Sequence, residues 1–409
     1  MSESGDEAEA PSIFQDFGPY ARLRAAAGPV AVPAGFSVET PPPGAWPSEH
    51  GAPGRTSRCG EPVVSDRYVP VWSAPLGEAA NPRGLLVGGG LVVVNGERAR
   101  GVFHVDDGRV GGRIPQGGGA GFLDGARRTL LAEASEGGLS TFVLPEGTRD
   151  AFVMLARPQP AYSREVLSGP GGVLAMLSVK RSHLGEPPGA FIETFQVADW
   201  RAKNELDIAE GLTPLAGLVR VQDGSATFAL APSGPVLVAP EGVRWCDWLL
   251  RPLAERAWQT QVQAVSTGDD ARVRVACTDG HSCELWLVSP GEAPVQRVSL
   301  PWAPEHNWTP PLIAPDGGTI LTPSGHVWSV DALGQRRWSA QRDEGEPMGT
   351  LSSNGLVLLA GSELCALTAG EGARHVLWKP AERLTTPPIL AGGRIYVASS
   401  DQLFALEPA

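Results

Sequence analysis

A repeat in the last hundred residues constrains the fold more than any other feature of this sequence. The stretches TPPLIAPDGGTIL (309–321) and TPPILAGGRIY (386–396) match almost position for position, apart from two additional residues before the glycine pair of the first. Downstream, HVWSVD, ELCALT and QLFALE share one order of polar, aliphatic, apolar, small, aliphatic and polar residues. Spacings of 37 and 39 residues separate Val327, Leu364 and Leu403, so this part of the chain is built from repeated units.

Each unit holds four short apolar runs joined by Gly, Asp, Asn or Ser, the pattern of consecutive antiparallel hairpins. Both faces of the strands are apolar, because Val327 and Ser329 point one way while Trp328 and Val330 point the other. A sheet that is apolar on both faces must be packed between other sheets. Four-stranded sheets arranged around an axis meet this requirement, so the sequence predicts an all-β fold, a single β-propeller.

The two ends of the repeat complement each other. Residues 385–409 contain three predicted strands and lack a fourth, whereas Tyr68–Pro75 looks like a fourth strand without the first three. In both this strand and the fourth strand of the preceding unit, a Trp follows apolar residues, as Trp72 and Trp378. We therefore predict that the N-terminal strand completes the C-terminal blade, which closes the ring and removes two open sheet edges. A two-sheet sandwich requires neither feature.

Turn signals set the number of blades and the limits of the propeller. Candidate entry strands begin near Gly84, Gly119, Gly172, Leu215, Gln263, Pro310, Gly349 and Thr385. They divide residues 67–409 into eight blades of roughly 43 residues, and seven blades is the alternative because the middle blades are poorly defined. Residues 1–66 form an arm that is acidic and then rich in Pro and Gly, for which we predict largely irregular structure.

The repeat resembles the quinoprotein-type (PQQ-like) β-propeller repeat. GGRIYVASSDQLFALEP and GHVWSVDALGQRRW carry the resemblance, which is strongest over residues 308–409. Dehydrogenases of that family hold pyrroloquinoline quinone and calcium in the axial channel, between a Trp and a disulfide of adjacent cysteines. No two cysteines are adjacent here, so the resemblance implies the architecture and places none of the cofactor-binding residues.

No catalytic residue is predicted, because the sequence has neither a G-x-S-x-G elbow nor a P-loop. The closest group of metal-binding residue types is ACTDGHSCELW, which contains Cys277, His281 and Cys283. Its central Asp-Gly is typical of a hairpin turn, and we favour cross-strand packing of the two cysteines over a metal site. We expect no cofactor.

Aromatic residues in the arm admit two interpretations. Phe14, Phe17, Tyr20, Phe36 and Trp46 either pack against the flank of their own propeller or belong to a linear motif that docks onto a partner. We favour the first interpretation. Phe14, Phe17 and Tyr20 are the partner-binding candidates under the second.

Net charge and targeting signals limit the expected partners and the expected cellular location of the protein. A formal net charge of −12 repels phosphate backbones, so nucleic acid is not an expected partner. No run approaches the ~18 apolar residues that cross a bilayer, and the N-terminus lacks the apolar core of a secretory signal. Five cysteines without a C-x-x-C pair fit a reducing compartment. We expect a cytoplasmic protein without membrane contact.

These features favour a non-enzymatic propeller that serves as a scaffold or adaptor for protein partners, by fold analogy within a bacterial multiprotein assembly. A quinone- or metal-dependent enzyme is the alternative, and it requires convergent Asp, His or Arg side chains at the axis. A carbohydrate-binding propeller is a further alternative. It requires Trp or Asp pockets in the loops, whereas the Trp residues lie mainly in predicted strands.

Overall fold

Short apolar strands pair with their sequence neighbours to form eight sheets. The computed structural model describes residues 15–16, 29–42, 44–48, 51–52, 54–77, 80–96, 99–115, 121–133, 139–153, 161–180, 189–197, 212–220, 226–291, 293–301, 309–323, 325–342 and 349–409. Seven sheets have four strands and one has five, and all the pairings in them are antiparallel. The prediction of an eight-bladed all-β propeller is therefore confirmed.

The strands are numbered in chain order, and two of them precede the first blade: β1 (Gln15–Asp16) and β2 (Tyr68–Pro75). Blade 1 comprises β3 (Ala80–Gly88), β4 (Leu91–Gly96), β5 (Ala99–His104) and β6 (Val110–Pro115). Blade 2 comprises β7 (Gly121–Asp124), β8 (Thr129–Glu133), β9 (Leu139–Val143) and β10 (Thr148–Val153). Blade 3 comprises β11 (Ala161–Ser168), β12 (Val173–Lys180), β13 (Gly189–Val197) and β14 (Leu212–Arg220). Blade 4 comprises β15 (Thr227–Ala231), β16 (Gly234–Ala239), β17 (Gly242–Cys246) and β18 (Pro252–Ala257).

Blade 5 comprises β19 (Gln261–Thr267), β20 (Val273–Thr278), β21 (Cys283–Val288) and β22 (Gln296–Leu300). Blade 6 comprises β23 (Leu312–Ile313), β24 (Thr319–Leu321), β25 (His326–Val330) and β26 (Arg336–Gln341). Blade 7 comprises β27 (Thr350–Leu351), β28 (Leu356–Ala360), β29 (Leu364–Thr368) and β30 (Arg374–Trp378). Blade 8 comprises β31 (Ile389–Ala391), β32 (Arg394–Ala398), β33 (Gln402–Pro408) and, as its fourth strand, β2. A 3-10 helix spans Pro170–Gly172, and no helix among the described residues is long and apolar enough to cross a bilayer.

The N-terminal strand closes the ring as predicted. β2 pairs antiparallel with β33 along its length, from Tyr68 opposite Pro408 to Pro75 opposite Gln402. Trp72 lies opposite Ala405. Both ends of the propeller are thus held by one ladder, and blade 8 has the same four strands as its neighbours.

Two predicted entry strands are wrong, although the number of blades is right. Gly172 precedes β12, the second strand of blade 3, because the Gly171-Gly172 pair forms the turn after the first strand. Leu215 lies within β14, the closing strand of the same blade, and the first strand of blade 4 begins at Thr227. A glycine pair marks this kind of turn in blades 1 and 8, but the sequence before Gly171 lacks the repeat that would have set the register.

Apolar residues on both faces of each blade fill the spaces between blades. In β16 all six residues are buried, with Leu237 packing toward blade 3 and Val236 and Val238 toward blade 5. In β25 Val327 joins the core toward blade 7, and Trp328 joins the core toward blade 5, as the alternation predicted. Burial of such side chains contributes about 25 cal/mol per Å² of apolar surface, so each blade is stabilised mainly by its two neighbours.

Tryptophans in closing strands join neighbouring blades through glycine turns. The Trp72 indole donates a hydrogen bond of 2.9 Å to the carbonyl of Val105, in the last turn of blade 1. Its ring covers Gly108, where a Cβ would lie 2.5 Å from the ring. Trp338 of blade 6 covers Gly372 of blade 7 in the same way, at 2.7 Å. Each glycine has a positive φ and leaves room for the indole.

Candidate functional site

The first strand of each blade faces the axis of the ring. It lies at one edge of its sheet, and first strands of successive blades lie side by side, as β3 with β7, β15 with β19, and β23 with β27. Fourth strands lie outermost and are largely exposed, as in β18 and β26. The inner edges of the first strands therefore form the wall of the axial channel, the common location of ligand sites in propellers.

The N-terminal arm pairs with this wall. Trp46 and Val87 of β3 exchange two backbone hydrogen bonds, of 2.7 and 2.9 Å. Leu123 of β7 donates its N–H to the carbonyl of Pro47 at 2.8 Å, and Thr267 of β19 donates to Gly54 at the same distance. These bonds use the strand edges that face the axis, because the opposite edges pair with the second strands of the same blades. We name the described residues of this stretch, 46–48, 51–52 and 54–61, the axial segment.

The axial segment passes between opposite walls of the channel. Arg55 forms an ion pair of 2.9 Å with Glu165 of blade 3 and donates a hydrogen bond to Phe228 of blade 4. Arg58 forms a parallel bridge with Leu351 of blade 7, which lies four blades from blade 3 and hence across the ring. The backbone pairs with blade 5 at Gly54 and with blade 7 at Arg58, so the segment contacts several inner strands around the channel.

The axial segment is buried as deeply as the blade cores. Trp46 is 1% exposed, and Ala52, Thr56, Ser57 and Cys59 are each 0% exposed. A polypeptide with this burial excludes solvent from the part of the channel that it occupies. It is an internal component of the propeller, and Trp46 packs in the core between blades 1 and 8 rather than on the outer flank that the sequence suggested.

Paired charges hold the arm against the blades. The Glu39 carboxylate accepts from Arg58 at 3.1 Å and from the backbone N–H of Asp269 at 3.0 Å. The Asp269 carboxylate in turn accepts from the N–H of Val38 at 2.7 Å. Glu61 accepts hydrogen bonds from the backbone of two consecutive glycines in the β31–β32 turn, at 2.7 and 2.6 Å. The carboxylates are therefore engaged in fixing the arm.

The thiol of Cys59 has a strongly raised pKa. This thiol is buried in the core between blades 7 and 8, and burial raises its pKa to about 12 against smaller opposing effects of hydrogen bonds with Leu390 and Thr350. A neutral thiol is a poor nucleophile and a poor metal ligand. Cys59 therefore behaves as a small apolar side chain.

The structure does not bring the predicted metal-ligand candidates together. Cys277 and Cys283 lie on paired strands but one register step apart, since Cys283 faces Thr278. Their side chains consequently enter different cores, Cys277 toward blade 4 and Cys283 toward blade 6, so they do not pack on one another either. His281 lies exposed in the turn between them. Among the residues that the structure describes, no three His, Cys, Asp or Glu side chains are grouped to hold a metal ion.

Asp279 accounts for the turn in this motif. Its carboxylate accepts hydrogen bonds from the backbone N–H groups of Ser282 at 2.7 Å and His281 at 2.8 Å, and these bonds lower the pKa of the carboxyl. The predicted Asp-Gly hairpin turn is thus present. The Asp279 carboxylate stabilises this turn through its hydrogen bonds.

A cavity of about 300 Å³ lies beside this hairpin, between blades 4 and 5. Trp258 and Trp286 line it with ring centroids 5.5 Å apart, and Arg297 stacks 4.3 Å from the centroid of Trp286. Glu284 accepts a hydrogen bond of 2.6 Å from the Trp286 indole. Trp258 and Trp286 are 9% and 4% exposed, so both residues are largely buried.

The partner-binding candidates Phe14, Phe17 and Tyr20 fall outside the described residues. Between the first two, Gln15 and Asp16 form β1, which pairs with β14 at the outer edge of blade 3. The axial segment was missed by sequence reasoning. The small residues around Trp46 are the sequence feature that fits its close packing. A Cβ at Gly51 would lie 2.6 Å from the Trp46 indole ring.

Fold and axis together define an eight-bladed β-propeller with part of its own arm in the axial channel. Among solved structures, quinohemoprotein alcohol dehydrogenase from Comamonas testosteroni is similar, with a TM-score of 0.63, 10% sequence identity, and coverage of 95% of this chain and 84% of that enzyme. The computationally designed Ika8 protein has a TM-score of 0.57 at 13% identity and covers 83% of this chain and 99% of its own. Sqt1 of Saccharomyces cerevisiae has a TM-score of 0.57 at 10% identity, with coverage of 85% and 100%.

These likenesses establish the fold, which a dehydrogenase shares with a designed protein. No family model and no curated protein matches the sequence. The residues at the axis do not fit pyrroloquinoline quinone as the resembling dehydrogenases bind it. Adjacent cysteines are absent, and residues of the axial segment occupy channel space next to β3, β7 and β19.

Proposed function

We propose that this protein is a non-catalytic propeller scaffold that binds protein partners. The single observation that carries the proposal is the axial segment, which pairs with the channel wall and is buried to 0–1% exposure at Trp46, Ala52 and Cys59. An axial active site needs space for a substrate and groups that converge on it. Here the converging groups, Arg55 and Glu165, bind each other.

A ring whose arm occupies part of the axial channel retains its two faces and its rim as binding surfaces. Loops between strands lie on both faces, where sequence can vary without altering the cores. The net charge of −12 favours partners with basic surfaces and disfavours nucleic acid. By fold analogy we place the protein in a bacterial multiprotein assembly.

We also propose a cytoplasmic location. All five cysteines are free and buried, and none is positioned in a disulfide. This supports a reducing compartment, because disulfides form and persist mainly in oxidising compartments.

Affinity purification of the full chain from its source cells, followed by mass spectrometry, tests the scaffold proposal. We expect specific proteins to co-purify in near-stoichiometric amounts and to survive a wash at physiological salt. A matched assay adds pyrroloquinoline quinone and calcium to the purified protein and measures quinone absorption and dye-linked alcohol oxidation. We expect neither to change. Saturable quinone binding together with alcohol oxidation would show that the protein is an enzyme and would overturn the scaffold proposal.

A further inference from the structure

The cavity beside the Asp279 hairpin is open to small molecules. Its volume of about 300 Å³ lies at the lower end of the range for small-molecule sites. Three of its lining residues, Gln259, Asp279 and Arg297, are exposed at the surface, whereas Trp258 and Trp286 form a buried aromatic wall. A ligand can therefore enter from solvent and reach this wall.

Trp286 holds two opposite charges apart in the cavity. The Arg297 guanidinium lies over the face of the indole, 4.3 Å from the ring centroid. The Glu284 carboxylate lies at the edge of the same ring, where it accepts the indole N–H at 2.6 Å. Stacking on an aromatic face and a charge-assisted hydrogen bond both fix the position of a charged side chain. The ring thus presents a cation and an anion at different points of one cavity.

Neither charge has an ion-pair partner among the residues that the structure describes, and the two do not pair with each other. Within the same part of the chain the Arg297 guanidinium donates no hydrogen bond, so its five N–H donors are available to a ligand. Glu284 uses one of its two oxygens for Trp286. Two opposite charges held apart in this way leave a place for a molecule that carries both.

Both charges act on the interior of the cavity. Burial raises the pKa of the Cys277 thiol, which lines the cavity, to about 12, and among smaller effects Glu284 raises this pKa while Arg297 lowers it. Asp279 adds a second carboxylate, although its oxygens are engaged within the hairpin turn. With two carboxylates and one guanidinium, the cavity disfavours a simple anion. A simple cation would leave the guanidinium unpaired.

We propose that the cavity binds a free α-amino acid, whose carboxylate pairs with Arg297 and whose ammonium group pairs with Glu284. Because both protein charges contact one indole ring, the two ligand charges must lie close together, as they do in an α-amino acid. A guanidinium offers two parallel N–H donors to one carboxylate, which fixes the orientation of the ligand. A carbohydrate needs an open indole face for stacking, whereas Arg297 covers a face of Trp286. The site is separate from the scaffold function and does not depend on it.

Isothermal titration calorimetry of the full chain with each of the standard L-amino acids tests the proposal. We expect at least one of them to bind saturably, at one site per chain, with a dissociation constant of about 100 μM or tighter. The N-acetyl derivative and the carboxamide of that amino acid each lack one charge. Each should bind at least about tenfold more weakly, and a neutral monosaccharide should not bind.

Two variants assign the orientation of the ligand. Glu284→Gln should weaken binding of the amino acid at least about tenfold. It should also bind the amino acid and its N-acetyl derivative alike, because the partner of the ammonium group is lost. Arg297→Gln should weaken binding in the same way and should bind the amino acid and its carboxamide alike. Neither residue is fully buried, so both variants should keep the fold.

Arg336→Gln is the matched control. Arg336 of blade 6 lies 5.9 Å from the ring centroid of Trp328, but its guanidinium donates a hydrogen bond of 2.7 Å to Ser339. The control should bind the amino acid as the unaltered protein does.

Three results would overturn the proposal. The first is the absence of saturable binding by every amino acid. The second is binding that Glu284→Gln and Arg297→Gln leave unchanged, because the ligand would then occupy another site. The third is equal affinity of the unaltered protein for the amino acid and for a blocked derivative or the monosaccharide, because the two charges would then not be recognised.

Discussion

Trp46 and Val87 form a backbone pair across the inner edge of blade 1, with hydrogen bonds of 2.7 and 2.9 Å in the two directions. The pair joins a proline-rich arm to the innermost strand of a ring that closes more than 300 residues later. It makes the axial segment part of the propeller core.

Replacement of Trp46 tests whether the arm is internal. Trp46→Ala should lower the free energy of unfolding by about 3–5 kcal/mol, because a 1% exposed indole leaves a cavity lined by blades 1 and 8. Urea denaturation measures the change. The control is Val64→Ala, at a position 66% exposed, which should stay within about 0.5 kcal/mol of the unaltered protein. Similar values for the two variants would place the arm outside the core.

The contact between blades 6 and 7 depends on a glycine. A Cβ at Gly372 would lie 2.7 Å from Trp338, whose indole donates a hydrogen bond of 2.8 Å to Ala369. Gly372→Ala should therefore cost about 1–3 kcal/mol through overpacking, beyond the strain of a positive φ. Gly280→Ala is the matched control, since Gly280 has φ +90° and nothing within 4 Å of its added Cβ.

A double-mutant cycle distinguishes steric clash from backbone strain at the same site. In the Trp338→Ala background the ring is absent, so Gly372→Ala should cost no more than Gly280→Ala does. An unchanged cost in that background would show that the indole does not occupy this position.

The buried ion pair between Arg55 and Glu165 should hold the axial segment strongly. The two side chains are 12% and 8% exposed and approach to 2.9 Å. Glu165→Ala should cost about 3–5 kcal/mol, because it leaves a buried guanidinium without its carboxylate. The double replacement Arg55→Met/Glu165→Leu should lower the free energy of unfolding by less than the sum of the losses caused by the two single replacements. Glu363→Ala, which disrupts the half-exposed pair with Arg374, is the control and should cost at most about 1 kcal/mol.

Alkaline pH should destabilise the fold through its buried thiols. Burial raises the pKa of both Cys59 and Cys277 to about 12, above the value of about 8.5 for a free thiol. Because the native pKa is raised, the contribution to stability is complete below pH 8.5 and is lost as the pH rises toward 12. The slope is about 1.4 kcal/mol per pH unit for each thiol.

Denaturation curves between pH 8 and 11 measure this slope. The double variant Cys59→Ala/Cys277→Ala should reduce it, even though its stability at pH 7 is lower. Burial also raises the pKa of Tyr68 and Tyr396, so a residual slope of the same sign should remain in the variant. An equal slope in the double variant and in the unaltered protein would mean that these thiols reach solvent in the native protein.

Sequence reasoning succeeded where the determinants are local or repeated. Short apolar runs joined by Gly turns identified the strands of blades 6 to 8, and the three strands predicted within residues 385–409 are β31, β32 and β33. Blades 3 and 4 were misregistered at Gly172 and Leu215, because their strands lack the repeat that relates one blade to the next. The cysteine motif could be identified as a hairpin, but the one-step register that separates Cys277 from Cys283 depends on strand pairing.

The repeated strands and the matching ends of the chain were enough to predict a β-propeller closed by its N-terminal strand, whereas seven blades stayed open as an alternative to eight. Where the arm lies could be seen only in the folded protein. Its partners are distant in sequence: Val63 bonds to Asn354, 291 residues away, and Val38 to Asp269, 231 residues away. Such contacts exist only after the blades have assembled and left a channel whose inner strand edges need hydrogen-bond partners. The residue pattern of the arm predicts none of these contacts.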